Sequence, residues 1–551
     1  MKGLLSPARM VLQRAATAPN EPYLHQPVNG VWRTYAWGEV VDQAQRMAAA
    51  LRALGLAEGS GIGIAGLNTA HWFMAEIALS LAGYVSVGLY PKQSADAVSF
   101  IAGHSEMKAV FVGPMPDAKS MLDALPPGII RIALPYPGVA ECEYSWDSLV
   151  AKHEPLEEPI DRDPDAPLTL IYTSGTTGNP KGVIITTNNL IFAMQGMLRY
   201  TPARPDGEHL LSYLPLAHAF ERGAIFAASM YLRSQVYFLE SIEKLSETLL
   251  YVRPTRFYGV PLVWTRMQNA ILSKMPQKKL DRMLSIPLVS TYLRFKLRKN
   301  LGLDRCWLRV SGAAPMPMPV LQWFQKVGLE IFQGYGMTEN TIYVSCNLPG
   351  NNRLGSVGQP FEDSLIRIAA DGEIQNMHPA VTKGYYKDAQ KTAELFTSDG
   401  WLRTGDIGRV DEEGYLYVTG RVKEIFKTLK GKYVTPAPIE GAFLRNTDID
   451  QLCLVGAGLR QPIMLVSLNP GAQKKPRGTI EKELLETMAQ IDRSLEDHEK
   501  IVKIIVTREP WSIDNNLMTP TMKVRRNQVE QRYNDIIQAN ENRRDAKVIW
   551  E

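Results

Sequence analysis

Two kinds of apolar pattern alternate along most of the chain. Short apolar runs rich in β-branched residues, such as 168–172, 183–186 and 257–260, indicate buried strands. Longer stretches such as 241–251 repeat their apolar residues at the spacing of a helix. This alternation predicts an α/β fold in which mixed sheets are flanked by helices.

The pattern changes from about Ser356, where short strands follow one another through close turns. A glycine after an acidic residue marks these turns, at 371–372, 399–400 and 413–414. Short strands joined in this way are typical of an antiparallel sheet. We therefore expect a distorted antiparallel β subdomain that ends near Gly420.

The remaining chain has the pattern of a small α+β domain. After Arg421 come a charged strand-like segment, a helical stretch at 479–497, a strand at 501–507 and a charged final helix from Arg526. The length of 551 residues also exceeds what one hydrophobic core organises. We expect a large N-terminal domain at 1–420 and a small C-terminal domain at 421–551.

The composition argues against several classes of protein. Lys and Arg number 61 against 57 Asp and Glu, and the resulting charge of +4 implies neither a nucleic-acid partner nor an anionic lipid partner. The 4 cysteines form no CxxC pair, so disulfides and a zinc site are not expected. The longest apolar stretch, at 77–90, contains Gly83 and is too short to cross a bilayer. We expect a cytoplasmic protein.

The start of the chain is basic. Residues 1–20 contain Lys2, Arg9 and Arg14 and no acid. This composition fits either a transit peptide or an amphipathic first helix, and we favour the helix.

The segment at 172–182, Tyr-Thr-Ser-Gly-Thr-Thr-Gly-Asn-Pro-Lys-Gly, concentrates groups that bind phosphate. Glycines let backbone N–H groups approach an anion, hydroxyls add donors, and a lysine offsets the charge of a polyphosphate. It is not a Walker A loop, because Lys181 is followed by Gly182 rather than by Ser or Thr. An ordinary polar hairpin is the alternative. The expected phosphate contacts are Thr173, Ser174, Gly175, Thr176, Thr177 and Lys181.

Five further motifs follow this loop. They are Ser-Gly-Ala-Ala-Pro at 311–315, Gln-Gly-Tyr-Gly-Met-Thr-Glu at 333–339, Gly-Trp-Leu-Arg-Thr-Gly-Asp at 400–406, Gly-Arg at 420–421, and the late Lys523. Together with the loop, in this order and spacing, they resemble the acyl-adenylate-forming (AMP-binding) superfamily of acyl-CoA synthetases, adenylation domains and firefly luciferase. The resemblance covers roughly residues 10 to 530.

The resemblance implies a nucleotide site. Tyr335 would stack on adenine, and Gly312, Ala313 and Ala314 would close over the other face of the base. Asp406 would accept hydrogen bonds from both ribose hydroxyls, with Arg421 nearby as a donor. The rest of the same motif, Gln333, Gly334 and Gly336, would line the nucleotide.

The resemblance also implies the groups that act on the phosphates. Thr338 would bond the α-phosphate, and Glu339 would hold Mg²⁺ with help from Thr176. Lys181 and Lys523 would supply positive charge, Lys523 from the small domain between the α-phosphate and the substrate carboxylate. Taken singly, Tyr335 fits a core residue, Asp406 a turn acid and Glu339 a solvated charge at a helix start.

Domain motion follows from the same resemblance. In the family the small domain swings about a hinge residue, here Lys423, to present a second face for thioester formation. Lys427 and Gly431 would belong to that second face. The alternative for Lys423 and Lys427 is a solvated basic strand.

Three segments resemble long-chain fatty acyl-CoA synthetases more than activators of acetate, aryl or amino acids. They are 212–222, 432–436 and the Thr-Pro-Thr-Met-Lys that ends at Lys523. His218 would border the path of the acyl chain and the thiol, although a lone histidine on an apolar stretch is often a core residue. The chain departs from the family at 375–378 and at Leu429 and Lys430, and the second departure lies near the expected coenzyme A path.

These implications predict an ATP-dependent long-chain fatty acid–CoA ligase with an acyl-AMP intermediate, and with ATP, Mg²⁺ and coenzyme A as cofactors. One alternative is a ligase that loads a carrier protein, but the insertion typical of such ligases near the hinge is not seen. The other is a catalytically silent binder, which would lack a key charge. All the key charges are present: Lys181, Glu339, Asp406 and Lys523.

Residues 274–299 are strongly basic. They contain eight Lys or Arg and one acid, Asp281, interleaved with Leu280, Met283, Leu284, Ile286, Leu293 and Phe295. This pattern is compatible with contact with a membrane surface. A solvated basic face over the core is the alternative that the sequence favours.

Overall fold

The computed structural model describes residues 4–173, 179–519, 522–541 and 546–551. It has the mixed α/β class that the apolar pattern predicts, with a large N-terminal part and a smaller C-terminal part. The α-helices are α1 (Pro7–Thr17), α2 (Trp37–Ala53), α3 (Ala70–Ala82), α4 (Ala95–His104), α5 (Ala118–Asp123), α6 (Trp146–Lys152), α7 (Thr187–Tyr200), α8 (Ala219–Glu221), α9 (Ala228–Leu232), α10 (Leu245–Val252), α11 (Pro261–Lys274), α12 (Gln277–Leu284), α13 (Pro287–Asn300), α14 (Met318–Lys326), α15 (Ala389–Leu395), α16 (Pro436–Phe443), α17 (Arg477–Asp492), α18 (Arg526–Arg532) and α19 (Asn534–Asn540).

The strands are β1 (Pro22–Val28), β2 (Val31–Ala36), β3 (Gly61–Ala65), β4 (Val85–Leu89), β5 (Ala109–Val112), β6 (Ile130–Ala133), β7 (Tyr144–Ser145), β8 (Pro167–Thr173), β9 (Lys181–Thr186), β10 (Glu208–Ser212), β11 (Ser234–Phe238), β12 (Arg256–Gly259), β13 (Leu308–Ser311), β14 (Phe332–Tyr335), β15 (Ser345–Cys346), β16 (Leu365–Ile368), β17 (Glu373–Met377), β18 (Leu402–Val410), β19 (Leu416–Arg421), β20 (Phe426–Lys427), β21 (Tyr433–Val434), β22 (Ile449–Val455), β23 (Ile463–Leu468), β24 (Lys503–Val506) and β25 (Val548–Trp550).

Three sheets organise the large N-terminal part up to β15. One has seven strands in the order β7-β6-β5-β3-β4-β8-β9, and it is parallel except for β9. The other two have four strands each, in the orders β10-β11-β1-β2 and β12-β13-β14-β15. In both, the first three strands are parallel and the last is antiparallel. Residues at the carboxyl ends of the parallel strands therefore gather at common edges.

Helix α3 lies between these sheets. It is capped by Thr69, whose hydroxyl accepts from the Trp72 N–H, and it ends at Gly83, which has a left-handed φ of 76°. Twelve of its 13 residues are buried. It contacts β3 and β4 of the seven-stranded sheet on one side and β1 on the other. An apolar helix with no solvated face belongs in the core, and α3 fills the layer between the sheets.

The antiparallel subdomain that the turn pattern predicts is confirmed. Strands β16-β17-β18-β19 form a four-stranded sheet in which each neighbouring pair is antiparallel. After it come the hairpin of β20 and β21 and a four-stranded sheet β22-β23-β24-β25. The predicted final helix is instead two short helices, α18 and α19, which meet at Tyr533.

The predicted amphipathic first helix is also present. In α1, Ser6 caps the first turn, and Pro7, Ala8, Met10 and Val11 are buried. Within the described chain, none of the helices combines the length and the apolar character that crossing a bilayer requires.

A fully buried ion pair joins β10 to β12. Arg256 donates from Nη2 to Glu208 Oε1 at 2.9 Å, and neither side chain has exposed surface. The same nitrogen donates to the carbonyl oxygen of Thr201 at 2.9 Å. Removal of one partner leaves a charge that is buried without its counter-ion.

We expect Arg256→Ala to lower the free energy of unfolding by about 3–5 kcal/mol, because the Glu208 carboxylate then loses its partner in the core. Urea unfolding followed by fluorescence measures the change. The control is Arg253→Ala, which breaks a partly exposed pair with Asp304 and should cost under about 1 kcal/mol. Equal losses in the two variants would contradict the account.

Candidate active site

A large cleft runs between the N-terminal part and the C-terminal part. Most of the predicted site residues line it: Thr173, Lys181, His218, Gly312, Ala313, Ala314, Gln333, Gly334, Tyr335, Gly336, Thr338, Glu339, Asp406, Arg421 and Lys523. Ser174, Gly175, Thr176 and Thr177 lie outside the described residues. Lys427 and Gly431 do not line the cleft.

The strands explain why residues so distant in sequence meet here. β8 ends at Thr173 and β9 begins at Lys181, so the described ends of the glycine-rich loop lie at one edge of the seven-stranded sheet. The parallel neighbours β13 and β14 run in the same direction, so residues 312–314 and Tyr335 follow at a shared edge. Ala313 has a φ of 68°, an uncommon conformation for a residue other than glycine.

Asp406 is held by two side chains, and we call the three residues the Asp406 cluster. Tyr335 Oη donates to Asp406 Oδ2 at 2.8 Å, and Arg421 Nε donates to Asp406 Oδ1 at 2.8 Å. Asp406 and Arg421 are also register partners on β18 and β19. The carboxylate is buried, and the charge of Asp406 raises the pKa of Arg421. The cluster therefore fixes the direction of the carboxylate at the cleft wall.

The side chain of Gln333 has partners within the protein. Its Nε2 donates to the carbonyl oxygen of Ser356 at 2.9 Å, and its Oε1 accepts from the Met316 N–H at 3.2 Å. The amide thus fixes the loop that follows β13. Gly336 is also required for packing, because a Cβ there would lie 2.5 Å from the carbonyl carbon of Ile342.

Glu339 and Lys181 share a neighbour, Tyr385. Its hydroxyl donates to Glu339 Oε1 at 2.8 Å, and Lys181 Nζ lies 4.7 Å from the centre of its ring. Burial raises the pKa of Glu339. Burial also lowers the pKa of Lys181, and the charges of Lys423 and Lys391 lower it further. Tyr385 thus contacts both the Glu339 carboxylate and the Lys181 ammonium.

Lys523 reaches the cleft from the C-terminal part. Burial and the charge of Arg421 lower the pKa of Lys523 to about 8, while Asp406, Glu424 and Glu339 act in the opposite direction. Its backbone N–H donates to Thr519 Oγ1 at 3.1 Å. The ammonium therefore lies within electrostatic range of both Asp406 and Glu339.

His218 also lies within electrostatic range of Lys523. Burial, with the charge of Lys523, lowers the pKa of His218 to about 3, so the ring is neutral at neutral pH. His218 Nδ1 accepts from the Phe220 N–H at 3.2 Å at the start of α8. The histidine therefore caps its own helix, and it also lines the cleft.

One arm of the cleft is apolar. Its walls come from α7, α8, the π-helix Arg222–Ala227 that follows α8, β12, β13 and the segment before β15. We call it the apolar arm: Met194, Met197, Phe220, Ala224, Tyr258, Val310 and Tyr343. Phe220 and Tyr258 meet edge to face at 6.0 Å. The arm has the apolar lining that an uncharged chain requires, while the Asp406 cluster and the lysines provide polar and charged groups in the same cleft.

Comparison with known proteins agrees with this geometry. The model of the family described as AMP-binding enzyme matches residues 11–386, and that of the AMP-binding enzyme C-terminal domain matches residues 424–545. The chain belongs to the AMP-binding enzyme family. The superfamily resemblance inferred from the motifs is therefore confirmed.

Relatives within the family extend over nearly the whole chain. The long-chain-fatty-acid–CoA ligase FadD15 of Mycobacterium bovis is 30% identical, over 97% of this chain and 96% of its own length. The long-chain-fatty-acid–CoA ligase 5 of Rattus norvegicus is 30% identical, over 92% of this chain and 83% of its own length.

Solved structures of lower identity show the same fold. The adenylation domain of a carboxylate reductase from Mycobacterium chelonae is 19% identical, with a TM-score of 0.84 over 97% of this chain and 91% of its own. The anthranilate CoA ligase AuaEII is 19% identical, with a TM-score of 0.78 over 97% and 98% of the two chains.

The residues predicted for thioester formation lie on an exposed hairpin. Lys427 is on β20, with Nζ 5.5 Å from the centre of the Tyr433 ring, and Gly431 has a φ of 77° in the turn before β21. Lys423 differs from both, because it lines the cleft. The arrangement thus separates a nucleotide face from the β20–β21 hairpin.

Sequence reasoning missed two residues of this site. Tyr385 is one, and Glu221 is the other: it accepts from Ser212 Oγ at 2.7 Å and from the Tyr213 N–H at 3.0 Å. Burial raises the pKa of Glu221 to about 8. It anchors α8 and therefore the start of the apolar arm. An acid three residues after His218, at the end of a largely apolar stretch, was the available signal for Glu221, whereas no local pattern marks Tyr385.

We expect Tyr385→Phe to reduce the rate of acid-dependent ATP–pyrophosphate exchange about tenfold, because one hydrogen bond to a charged group contributes about 1.5 kcal/mol. The matched control is Tyr386→Phe, whose ring lies beside Lys387 rather than against Glu339. A rate for Tyr385→Phe equal to that of the control would show that this hydroxyl does not orient Glu339.

Proposed function

We propose that the chain is an ATP-dependent long-chain fatty acid–CoA ligase. It would join the carboxylate to ATP, forming acyl-AMP and releasing pyrophosphate, and then transfer the acyl group to the thiol of coenzyme A. The observation that carries this proposal is the arrangement of the cleft. Lys523 faces the Asp406 cluster in a cleft that also contains the apolar arm. The relatives named as long-chain fatty acid ligases support the same conclusion.

The nucleotide would bind at the Asp406 cluster. Asp406 offers carboxylate oxygens to the ribose hydroxyls, and its bonds to Tyr335 and Arg421 hold it in position. The ring of Tyr335 and the small residues 312–314 would enclose the adenine. Thr338, in the turn after β14, would donate to the α-phosphate, and Thr173 with the glycine-rich loop would contact the other phosphates.

The adenylation step has to overcome charge repulsion. A fatty acid has a pKa of about 4, so it is already ionised and needs no general base. Its carboxylate must nevertheless approach a triphosphate. Lys181 and Lys523 would reduce this repulsion, Lys523 by contacting the α-phosphate and the incoming carboxylate together.

Magnesium fits the same corner. Glu339 is a buried carboxylate directed by Tyr385, and one carboxylate with substrate phosphates is a usual Mg²⁺ environment. Glu339 would hold the ion, with Thr176 as the predicted second ligand. When bound, the ion neutralises phosphate charge. The Lys181 ammonium, 4.7 Å from the centre of the Tyr385 ring, would act beside it.

Thioester formation would use the other face of the C-terminal part. We propose that the two domains divide at Gly420 and Arg421 and that the C-terminal domain turns about Lys423. Lys427 and Gly431 would then contact coenzyme A. Their position on an exposed hairpin supports a role that needs a second orientation.

The acceptor can be tested directly. The chain, hexadecanoic acid, ATP and Mg²⁺ are incubated with coenzyme A and a phosphopantetheine-bearing carrier protein together, and products are identified by mass spectrometry. Hexadecanoyl-CoA without acylated carrier is the expected result. Acylated carrier without acyl-CoA would replace the proposal with the carrier-protein ligase.

The apolar arm should set the chain length of the acid. Ala224 is buried in the π-helix that follows α8 and lines the arm. We expect Ala224→Phe to reduce kcat/KM for hexadecanoic acid about tenfold or more while octanoic acid is used as before, because the added ring occupies space that the distal methylenes need. Exchange assays with acids of increasing length measure this. Equal losses of kcat/KM at all acid lengths would show that the acyl chain does not lie in the apolar arm.

A further inference from the structure

One surface of the N-terminal part exposes large apolar side chains in an ordered row. They lie on α13 and the residue before it, and we call this surface, with its two lysines, the α13 face: Ile286, Leu288, Tyr292, Phe295, Lys296 and Lys299. Leu288 is 87% exposed, Tyr292 64% and Phe295 51%. Their spacing of four and three residues puts them on one side of the helix.

The opposite side of α13 accounts for its packing. Ser290, Leu293 and Leu297 are buried, and the two leucines belong to the core that α11 and α14 share. The exposed row therefore does not contribute to the core. The sequence pattern favoured a solvated basic face over the core, and it does not distinguish Leu293, which the structure buries, from Phe295, which it exposes.

The charge around the row is mostly positive. Residues 274–299 contain eight cations: Lys274, Lys278, Lys279, Arg282, Arg294, Lys296, Arg298 and Lys299. In the part of the chain that the structure describes, none of the eight forms an ion pair with a carboxylate. The one acid, Asp281, is bonded by Lys326 Nζ at 2.6 Å. The surface thus offers apolar side chains together with an excess of positive charge.

We propose that the α13 face docks on an anionic lipid surface. Leu288, Tyr292 and Phe295 enter the headgroup region, while Lys296, Lys299 and the neighbouring cations contact lipid phosphates. An apolar row flanked by lysine and arginine is the arrangement of helices that lie in the plane of a membrane. Each cation near the surface strengthens binding to an anionic membrane roughly fivefold.

Other occupants fit less well. A second copy of the chain would bring this cation-rich segment against its own like charges, which repel. A nucleic acid would satisfy the cations but leave the most exposed residue of the face, Leu288, without an apolar partner. A lipid surface satisfies both features at once.

The α13 face is connected through neighbouring helices to one wall of the cleft. Thr265 of α11 and Gln322 of α14 line the cleft, and Trp323 Nε1 of α14 donates to Gln277 Oε1 of α12 at 2.9 Å. Docking would therefore hold this wall near the interface. If the proposed function is right, the long-chain acid is then taken from the membrane in which it partitions, but the docking itself does not depend on that function.

Co-sedimentation of the full chain with vesicles tests the proposal. Vesicles of phosphatidylcholine alone are compared with vesicles containing about a third phosphatidylglycerol, at low and high salt. We expect binding to the anionic vesicles, at least tenfold weaker binding to the neutral ones, and loss of binding at high salt. Equal binding to both would overturn the charge argument, and no binding to either would overturn the proposal.

Paired variants test whether the α13 face is the surface that binds the vesicles. Leu288→Ser with Phe295→Ser, and separately Lys296→Glu with Lys299→Glu, should each weaken anionic binding at least tenfold. Lys474→Glu with Lys482→Glu makes the same charge change on the C-terminal part and should leave it unchanged. ATP–pyrophosphate exchange with octanoic acid, without vesicles, should be unaltered in all three and checks the fold and the chemistry independently.

Sedimentation velocity of the free chain distinguishes docking on a lipid surface from association with a second copy of the chain. A dimer that the serine pair abolishes, without vesicle binding by the parent chain, would assign the face to self-association and overturn the proposal. Vesicle binding that survives both docking variants would also overturn it.

Discussion

Replacing Lys523 by alanine should suppress adenylation about 100- to 1000-fold, because the step loses a positive charge that is preorganised in the cleft. Thioester formation from supplied acyl-AMP and coenzyme A should be affected much less, since this lysine would act on the first half-reaction only. Pyrophosphate exchange measures the first half-reaction, and release of AMP from acyl-AMP with coenzyme A measures the second. Equal losses in both would remove Lys523 from the assigned role.

The pH dependence provides a second check on the same residue. Burial and Arg421 lower the pKa of Lys523 to about 8, so the ammonium is lost as the pH rises through 8, and adenylation should decline there. Thioester formation should rise over the same range, because more of the coenzyme A thiol becomes thiolate. Lys523→Arg keeps its charge at that pH, so its residual activity should lack the decline. A decline near pH 8 that persists in this variant would assign it to another group.

Replacing Asp406 by alanine should raise the KM for ATP by about 100-fold or more, because two hydrogen bonds to a charged acceptor are lost, each of about 1.5–3 kcal/mol. Tyr335 and Arg421 would lose their shared partner as well. The KM for the fatty acid should change far less, which separates a nucleotide role from general damage.

The control for Asp406 is Asp399→Ala, in the turn before β18. Asp399 makes an exposed pair with Arg367, with Nη1 and Oδ2 2.6 Å apart. Its loss should leave the KM for ATP unchanged. An Asp406→Ala enzyme with the parent KM for ATP would contradict the assignment of the ribose site.

The fold class could be predicted from local patterns because strand and helix periods are properties of short segments. Strands at 183–186 and 257–260 became β9 and β12 with small shifts of their ends. The break between α18 and α19 at Tyr533 was missed, since the charged stretch after Arg526 shows no local signal that ends a helix there.

The site likewise has residues that could be predicted from the sequence and residues that could not. The motif residues could be predicted from the family resemblance, and they share one cleft because β13 and β14 end at a common edge and β18 pairs with β19. Tyr385 could not be found, because its contact with Glu339 and its bridge to Val183 on β9, about two hundred residues earlier, both form across the fold. The partners of Gln333 were hidden for the same reason, since its amide bonds Met316 and Ser356 across the fold.

The exposed row on α13 shows a third limit. A helical period identifies apolar positions but does not say which side of the helix meets the core when both sides contain them. Leu293 and Phe295 became distinguishable only when α13 was placed against α11 and α14.

The central claim is that the cleft activates a long-chain carboxylate as an adenylate. The most direct measurement is exchange of labelled pyrophosphate into ATP, without coenzyme A, over acids from 4 to 20 carbons. The account predicts exchange that depends on the acid, is strongest for long chains and is nearly abolished in Lys523→Ala. Absence of exchange with every acid in the series, from a chain that is folded and binds ATP, would contradict it.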